Sequence, residues 1–257
     1  MSRYRKPLAL RPNPGEERGI APIETAMVMA AGLGKRMRPL TATRPKPLVE
    51  VAGKPLLDHV FDRLRAAGIK RAVVNVHYLA DALEAHLKAR VKDIEVTVSD
   101  ERRQLLETGG GLVKALPLIG DDRFLVVNSD NFWVDGPVDA IRLLASRWDE
   151  ETMDALLLVV PLARANCHRG QGDFHMDPLG RLSRRKPGRV APFVYTGIQL
   201  VSRRLFVDPP EGAFSTNIFW SRAIAAGRCF GLSHQGLWFD VGTPAAIAKT
   251  EALLADG

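Results

Sequence analysis

Between residues 26 and 160 short apolar runs alternate with segments of helical period, and few folds accept that alternation. Residues 26–30, 72–76, 94–98, 124–128 and 155–160 have strand length and are rich in valine, isoleucine and leucine. Between them, Leu56, Leu57, Val60, Phe61 and Leu64 repeat at helical spacing until Gly68 stops the helix, and residues 79–89, 109–116 and 137–148 complete the helical set. Such repetition winds a parallel sheet with helices on both faces. Ligands of such a sheet sit beyond the carboxyl ends of its strands, so residues just after strands are where chemistry is expected.

After residue 160 the pattern changes. Residues 173–176 and 181–183 flank Asp177-Pro-Leu-Gly180, a hairpin signal, and residues 193–202 alternate as a further strand. Residues 229–232 and 238–241 follow, and a helix over 244–254 opens on Pro244, which suits a first turn. No linker separates the halves, so the later strands are expected to join the same sheet in mixed directions. The expected organisation is one α/β domain over residues 23–257, a Rossmann-like doubly wound mixed sheet. Residues 1–22, rich in proline and arginine without periodicity, read as a disordered basic tail.

A net charge of +7 raises the question of nucleic acid. Residues 1–22 carry five cations against two carboxylates, leaving +4 for the body, where cations gather over 36–46 and 181–189 with little aromatic interleaving. Phosphorylated small molecules fit that distribution better than nucleic acid. The longest apolar run, 155–160, is far too short for a membrane span, and no secretory signal opens the chain, so a cytoplasmic protein is expected. Two cysteines, Cys167 and Cys229, make no disulfide framework and are expected to be reduced. Cys167, His168 and His175 lack zinc spacing. His59, His77, His86 and His234 lack a partner pattern and read as core or surface residues.

The segment Val28-Met-Ala-Ala-Gly-Leu-Gly-Lys-Arg-Met-Arg-Pro-Leu-Thr41, with Arg44-Pro-Lys-Pro-Leu48 behind it, joins an apolar strand, a flexible loop and fixed cations. Gly32 and Gly34 let successive N–H groups turn toward phosphate oxygens, and Lys35, Arg36 and Lys46 add positive charge. The loop lacks the Gly-Lys-Ser/Thr ending of a Walker P-loop and the third glycine of the dinucleotide fingerprint. A second feature is Asp130 at the end of Leu125-Val-Val-Asn-Ser-Asp130, a carboxylate beyond an apolar strand where a hard cation could be held.

Residues Gly32, Gly34, Arg36, Met37, Pro39, Leu40, Thr41, Pro45, Lys46, Pro47 and Leu48 match, in order and spacing, the signature of the nucleotidyltransferases that join a nucleoside triphosphate to a sugar 1-phosphate. The chain resembles that family from about residue 23 to its end, in the short bacterial form, GT-A-like and without a β-helical domain. The resemblance implies a nucleotide site at Ala31, Gly32, Gly34, Lys35, Arg36, Lys46, Glu107, Thr108, Gly109 and Asn128, with Arg36, Lys46 and Asp130 as the catalytic set. It implies a magnesium ion on Asp130 and on Asp240 of Trp238-Phe-Asp-Val-Gly-Thr-Pro244, although Ser129 stands where the family has glycine. Thr243 could in addition cap the last helix. Asp173 of His168-Arg-Gly-Gln-Gly-Asp-Phe174, Lys186, Thr196 and Gly197 are implied on the sugar-phosphate side, with Arg185 in place of the family's glutamate.

Leu106-Glu-Thr-Gly-Gly-Gly111, residues 114–118 and Gly212-Ala-Phe214 resemble the branch that uses UTP and N-acetylmuramate 1-phosphate, which implies a place in cell-wall recycling. Mannose 1-phosphate with GTP, another hexose 1-phosphate, and a sugar-nucleotide sensor without turnover remain open alternatives. The expected partners are the two substrates alone, bound by a monomer or homodimer.

Overall fold

The computed structural model describes residues 22–255 of the 257-residue chain; most of the basic tail lies outside them. The strands are β1 (Thr25–Met29), β2 (Glu50–Val51), β3 (Lys54–Pro55), β4 (Arg71–Val76), β5 (Glu95–Asp100), β6 (Arg123–Asn128), β7 (Phe132–Val134), β8 (Ala155–Pro161), β9 (Ala165–Asn166), β10 (Phe174–Met176), β11 (Leu182–Arg184), β12 (Phe193–Ser202), β13 (Cys229–Ser233) and β14 (Leu237–Phe239). The helices are α1 (Leu56–Ala67), α2 (Ala80–Arg90), α3 (Glu107–Ile119), α4 (Ala140–Arg147), α5 (Asn217–Ala225) and α6 (Pro244–Ala255).

The main sheet has nine strands. Its parallel half runs β5-β4-β1-β6, as the alternation requires. β8 runs in the same direction as β6 but is not its neighbour. β12 lies between them, antiparallel to both, and β13 pairs parallel with the far edge of β8. This ten-residue strand is buried almost throughout despite Thr196, Gln199 and Ser202, so its alternation does not distinguish a central position from an edge one. β10 and β11 form the anticipated hairpin, its turn held by the Asp177 carboxylate accepting from Leu179 and Arg181 N–H at 2.9 and 2.8 Å.

Period-2 alternation divides the core. Ala26, Val28, Leu125, Val127, Leu156 and Leu158 face the layer of α1, α2 and α4, where Phe61, Leu64, Leu83 and Leu144 fill the space. Met27, Phe124, Val126, Leu157 and Val159 face α3 and α5, against Leu112, Ala115, Phe219 and Ala223. Each such side chain contributes about 1.5–3 kcal/mol on burial. A third cluster, Met37, Val49, Val51, Leu56, Phe132, Phe239, Val241 and Ile247, ties the glycine-loop region to α6 and to the small sheet β7-β14-β9. α1 stops at Gly68, φ +90°, and α6 starts with Ala246 N–H donating to the Thr243 hydroxyl at 3.3 Å, both as the sequence implies.

Both cysteines are free, and burial pushes the Cys229 thiol up to about 12, which leaves it inert. Among the described residues, no helix is long and apolar enough to cross a membrane.

Candidate active site

The loop after β1 is held at both ends. Gly34 has φ +60°, and a Cβ there would stand 2.9 Å from Thr41 Cγ2 and 3.0 Å from Lys46 Cβ, so glycine is required on steric grounds. Its carbonyl accepts from the Thr41 hydroxyl at 2.8 Å and from Met37 N–H at 2.9 Å, and Met37 is fully buried in the third cluster. A Cβ on Gly32, by contrast, would meet nothing within 4 Å; it faces open space, where a ligand can approach the backbone. Lys35 and Arg36 are exposed at the rim.

Two carboxylates reach this rim through the small sheet. β7 and β14 pair antiparallel with Phe132 opposite Phe239, so Asp130 and Asp240, just beyond that pair, lie at the same end of the ribbon. β9 runs parallel to β14 and brings His168 to the same end. Lys46 pairs with Asp130, and His168 Nδ1 lies 3.1 Å from Asp240 Oδ2. A Cβ on Gly242 would lie 3.0 Å from Asp240 Oδ1 and 3.4 Å from both terminal nitrogens of Arg36, so this glycine leaves room for the guanidinium beside the carboxylate. Three cationic or basic groups and two carboxylates thus converge from segments far apart in the chain. His168 is visible in the sequence only as part of a local motif; its contact with Asp240 spans 72 residues and no local pattern signals it.

Two adjoining cavities open at the carboxyl ends of β1 and β6. The larger, of about 400 Å³, is lined by Ala31, Gly32, Glu107, Thr108 and Asp130 among others. The smaller, of about 250 Å³, is lined by Tyr195, Gln199, Thr216, Asn217 and Trp220 among others. They share Met29, Thr108, Asn128 and Ser215. Burial raises the Tyr195 phenol well above its ordinary range, so it stays neutral there.

The three glycines after Thr108 have a packing reason of their own. A Cβ on Gly109 would stand 2.5 Å from the Phe214 ring, and one on Gly110 would stand 2.4 Å from the Gly212 carbonyl. Their N–H groups donate to the Phe214 carbonyl at 2.8 and 3.2 Å, and the Thr108 hydroxyl accepts from Thr216 N–H at 3.0 Å. The glycine run therefore docks the segment before α5 onto the start of α3, which joins the walls of both cavities. Glu107 precedes it with φ +57°, an unusual backbone for a residue with a side chain.

The residues expected on the sugar-phosphate side divide. Gly197, φ +86°, makes the irregularity in β12, and a Cβ there would stand 2.6 Å from the Asn131 amide and 2.8 Å from Asn128 Nδ2. Thr196 does not face a cavity: its fully buried hydroxyl donates to the Leu158 carbonyl at 2.8 Å and its carbonyl accepts from Trp238 Nε1 at 3.0 Å. One Asp173 carboxylate oxygen accepts from Tyr195 N–H at 2.9 Å, so this residue braces a strand of the cavity wall. Lys186 is exposed after β11. Arg185 donates to the Gly172 and Arg189 carbonyls at 2.9 and 3.0 Å, bracing the loop after β11 against the segment before β10 where the family has an acid. Asn131, which the sequence reading passed over, is buried with its Nδ2 unpartnered next to Gly197.

Comparison with known proteins agrees with this geometry. A family model described as nucleotidyl transferase matches residues 25–167. N-acetylmuramate alpha-1-phosphate uridylyltransferase of Caulobacter vibrioides is 45% identical over 234 residues, 90% of this chain and 97% of that protein. The enzyme of the same name from Neisseria meningitidis is 35% identical over 89% and 97%. A UDP-glucose pyrophosphorylase solved with UDP-glucose shares the fold, with a TM-score of 0.76 over 91% of this chain and 99% of that one at 14% identity. On the glycine loop, the paired carboxylates and these matches together, the chain belongs to the nucleotidyl transferase family and joins nucleotides to sugar 1-phosphates.

Proposed function

We propose that this chain transfers the uridylyl group of UTP to N-acetylmuramate 1-phosphate and releases pyrophosphate. The observation that carries this reading is the pair of cavities joined at Thr108, Asn128 and Ser215, with Asp130 lining the larger one and Lys46 beside it. The larger cavity suits the nucleotide, with Ala31, Gly32, Glu107 and Thr108 around the nucleoside and Lys35 and Arg36 at the phosphate end. The smaller suits the sugar, with Tyr195 and Trp220 as an aromatic wall. The uridylyl and muramate choice rests on the two similar uridylyltransferases, which this chain matches over nearly its whole length.

In this reading a sugar phosphate oxygen attacks the α-phosphorus in line, the bond to the β-phosphate oxygen breaks, and pyrophosphate leaves with that electron pair. No side chain forms a covalent bond, so positioning and charge neutralisation supply the rate. Lys46 leaves Asp130 to hold the α-phosphate and the incoming anion together, and Arg36 meets the departing pyrophosphate. Asp130 and Asp240 offer hard oxygen donors from one end of a paired ribbon, a donor set that suits magnesium. Magnesium held there would neutralise phosphate charge.

The test is pyrophosphate release with magnesium, crossing UTP, GTP, dTTP, CTP and ATP against N-acetylmuramate, mannose, glucose and N-acetylglucosamine 1-phosphates. UTP with the muramate sugar is the expected pair. GTP with mannose 1-phosphate would overturn the substrate choice and keep the chemistry. Nucleotide binding with no turnover would favour a sensor.

A further inference from the structure

At the floor of the larger cavity, which Asn75 helps to line, lies a chain of buried polar contacts. Asn75 and Glu101 are each 1% exposed. Ala30 N–H, at the end of β1, donates to Asn75 Oδ1 at 2.6 Å, and Asn75 Nδ2 donates to Glu101 Oε1 at 2.7 Å. Glu101 Oε2 accepts from Leu106 N–H at 3.0 Å. Both ends of the chain lead directly into cavity walls. Ala30 precedes Ala31 and Gly32, and Leu106 precedes Glu107 and Thr108. Gly111 completes the arrangement, because a Cβ there would stand 2.7 Å from Glu101 Oε1 and 3.0 Å from Asn75 Nδ2.

A buried carboxylate without a cation is costly unless donors replace its water, and Glu101 makes no ion pair among the described residues. Both of its oxygens meet donors. The backbone donors it serves, directly and through Asn75, stand past the ends of strands, where no ladder partner exists. Resting on the assignment of the larger cavity to the nucleotide, we infer that Glu101, acting through Asn75, is a positioning residue for the nucleoside triphosphate. It fixes the spacing between the phosphate loop and the segment of residues 105–108 on the opposite wall. It touches no reacting atom, so its effect falls on nucleotide binding.

Exchanging the two groups tests this. Glu101→Gln puts an amide against a donor, and Asn75→Asp puts a carboxylate against a carboxylate. Combined, they rebuild the same connectivity: Ala30 N–H to Asp, Gln amide to Asp, Leu106 N–H to the Gln carbonyl. Steady-state kinetics and nucleotide titration calorimetry are run well below the melting temperature of every variant. Each single change is expected to raise the KM and Kd for the nucleotide about tenfold, the scale of one mispaired buried contact. The KM for the sugar phosphate and kcat should stay within about twofold, and the double variant should recover most of the loss. A merely structural role lowers the active fraction, hence kcat, and leaves KM alone; that result overturns the inference, as does a double variant no better than the singles. Wild-type protein that binds none of the five nucleotides would refute the cavity assignment, and the inference with it. Wild-type protein that binds and turns over, matched by both singles, refutes the inference alone.

Discussion

The rim and the floor of the larger cavity solve opposite problems with the same kinds of group. At the rim, Asp130 and Asp240 have side chains 33% and 32% exposed and pair with the side chains of Lys46 and His168. At the floor, Asn75 and Glu101 are shut from solvent and bonded to the backbone. Pairs open to water contribute little to stability, about 0–1 kcal/mol, whereas a buried acceptor left facing nothing costs about 1–3 kcal/mol. Charge that must change partners during turnover belongs where exchange is cheap, and groups that set spacing belong where it is not.

Asp130→Ala separates the two regions most strongly. Turnover should fall by about a thousandfold, the scale of losing a preorganised charge at the reacting phosphates, while stability drops by only about 1 kcal/mol. A melting curve beside a pyrophosphate assay checks both halves. A variant that unfolds, or one that turns over normally, would place Asp130 outside the rim machinery.

Gly110→Ala strikes the opposite way. Its Cβ would need the space of the Gly212 carbonyl, a backbone atom that cannot swing aside, so the clip between α3 and the segment before α5 must open. Overpacking of this kind costs about 1–3 kcal/mol. The expected result is a lower denaturant midpoint with both substrate KM values raised, because the clip borders both cavities. Unchanged KM values would show that the clip serves stability alone.

The same contrast explains what the sequence could show. The parallel half of the sheet was legible because each apolar run and helix is local, and the glycine loop because its signature is contiguous. The place of β12 was not, since two-sided burial depends on partners 32 to 79 residues away. The carboxylate pair was legible as a pair only through the family resemblance; the antiparallel register of β7 and β14 is the physical reason the two lie at one end of the ribbon. The role of the Thr196 side chain was not legible either, because the strand that takes its hydroxyl, at Leu158, lies 38 residues away. Asn75 left a faint signal, a lone amide within Arg71-Ala-Val-Val-Asn-Val76, whereas Glu101 sits among charged residues and resembles them.

His168 sharpens the rim further. Its Nδ1 lies 3.1 Å from Asp240, and a Cβ on Gly170 would stand 2.3 Å from its Nε2, so the ring is confined by the loop as well as by the acid. His168→Ala should raise the Mn²⁺ dissociation constant, read by paramagnetic resonance, about tenfold, the low end for groups that orient a metal ligand. His168→Asn, whose amide can stand near the position of Nδ1, should restore most of it. Equal affinity in all three proteins would remove His168 from the site.

The smallest effect concerns His234, a histidine remote from the rim and buried like the floor. Its Nε2 lies 3.2 Å from both the Val134 and Leu237 carbonyls, so it must donate, and burial is the largest influence, lowering its pKa below the ordinary 6.5. A base with a depressed folded pKa binds more protons when unfolded, so stability rises with pH across the interval between the two values. Its stabilising share is therefore complete above about pH 6.5 and declines as pH falls from there toward the folded value. His234→Gln keeps an amide donor and removes the titration. Between pH 7.5 and 5.5 the wild-type melting temperature should fall about 2 °C further than that of the variant. Parallel curves would mean that the ring is not protonated on unfolding in this range, and a steeper fall in the variant would reverse the sign of the shift.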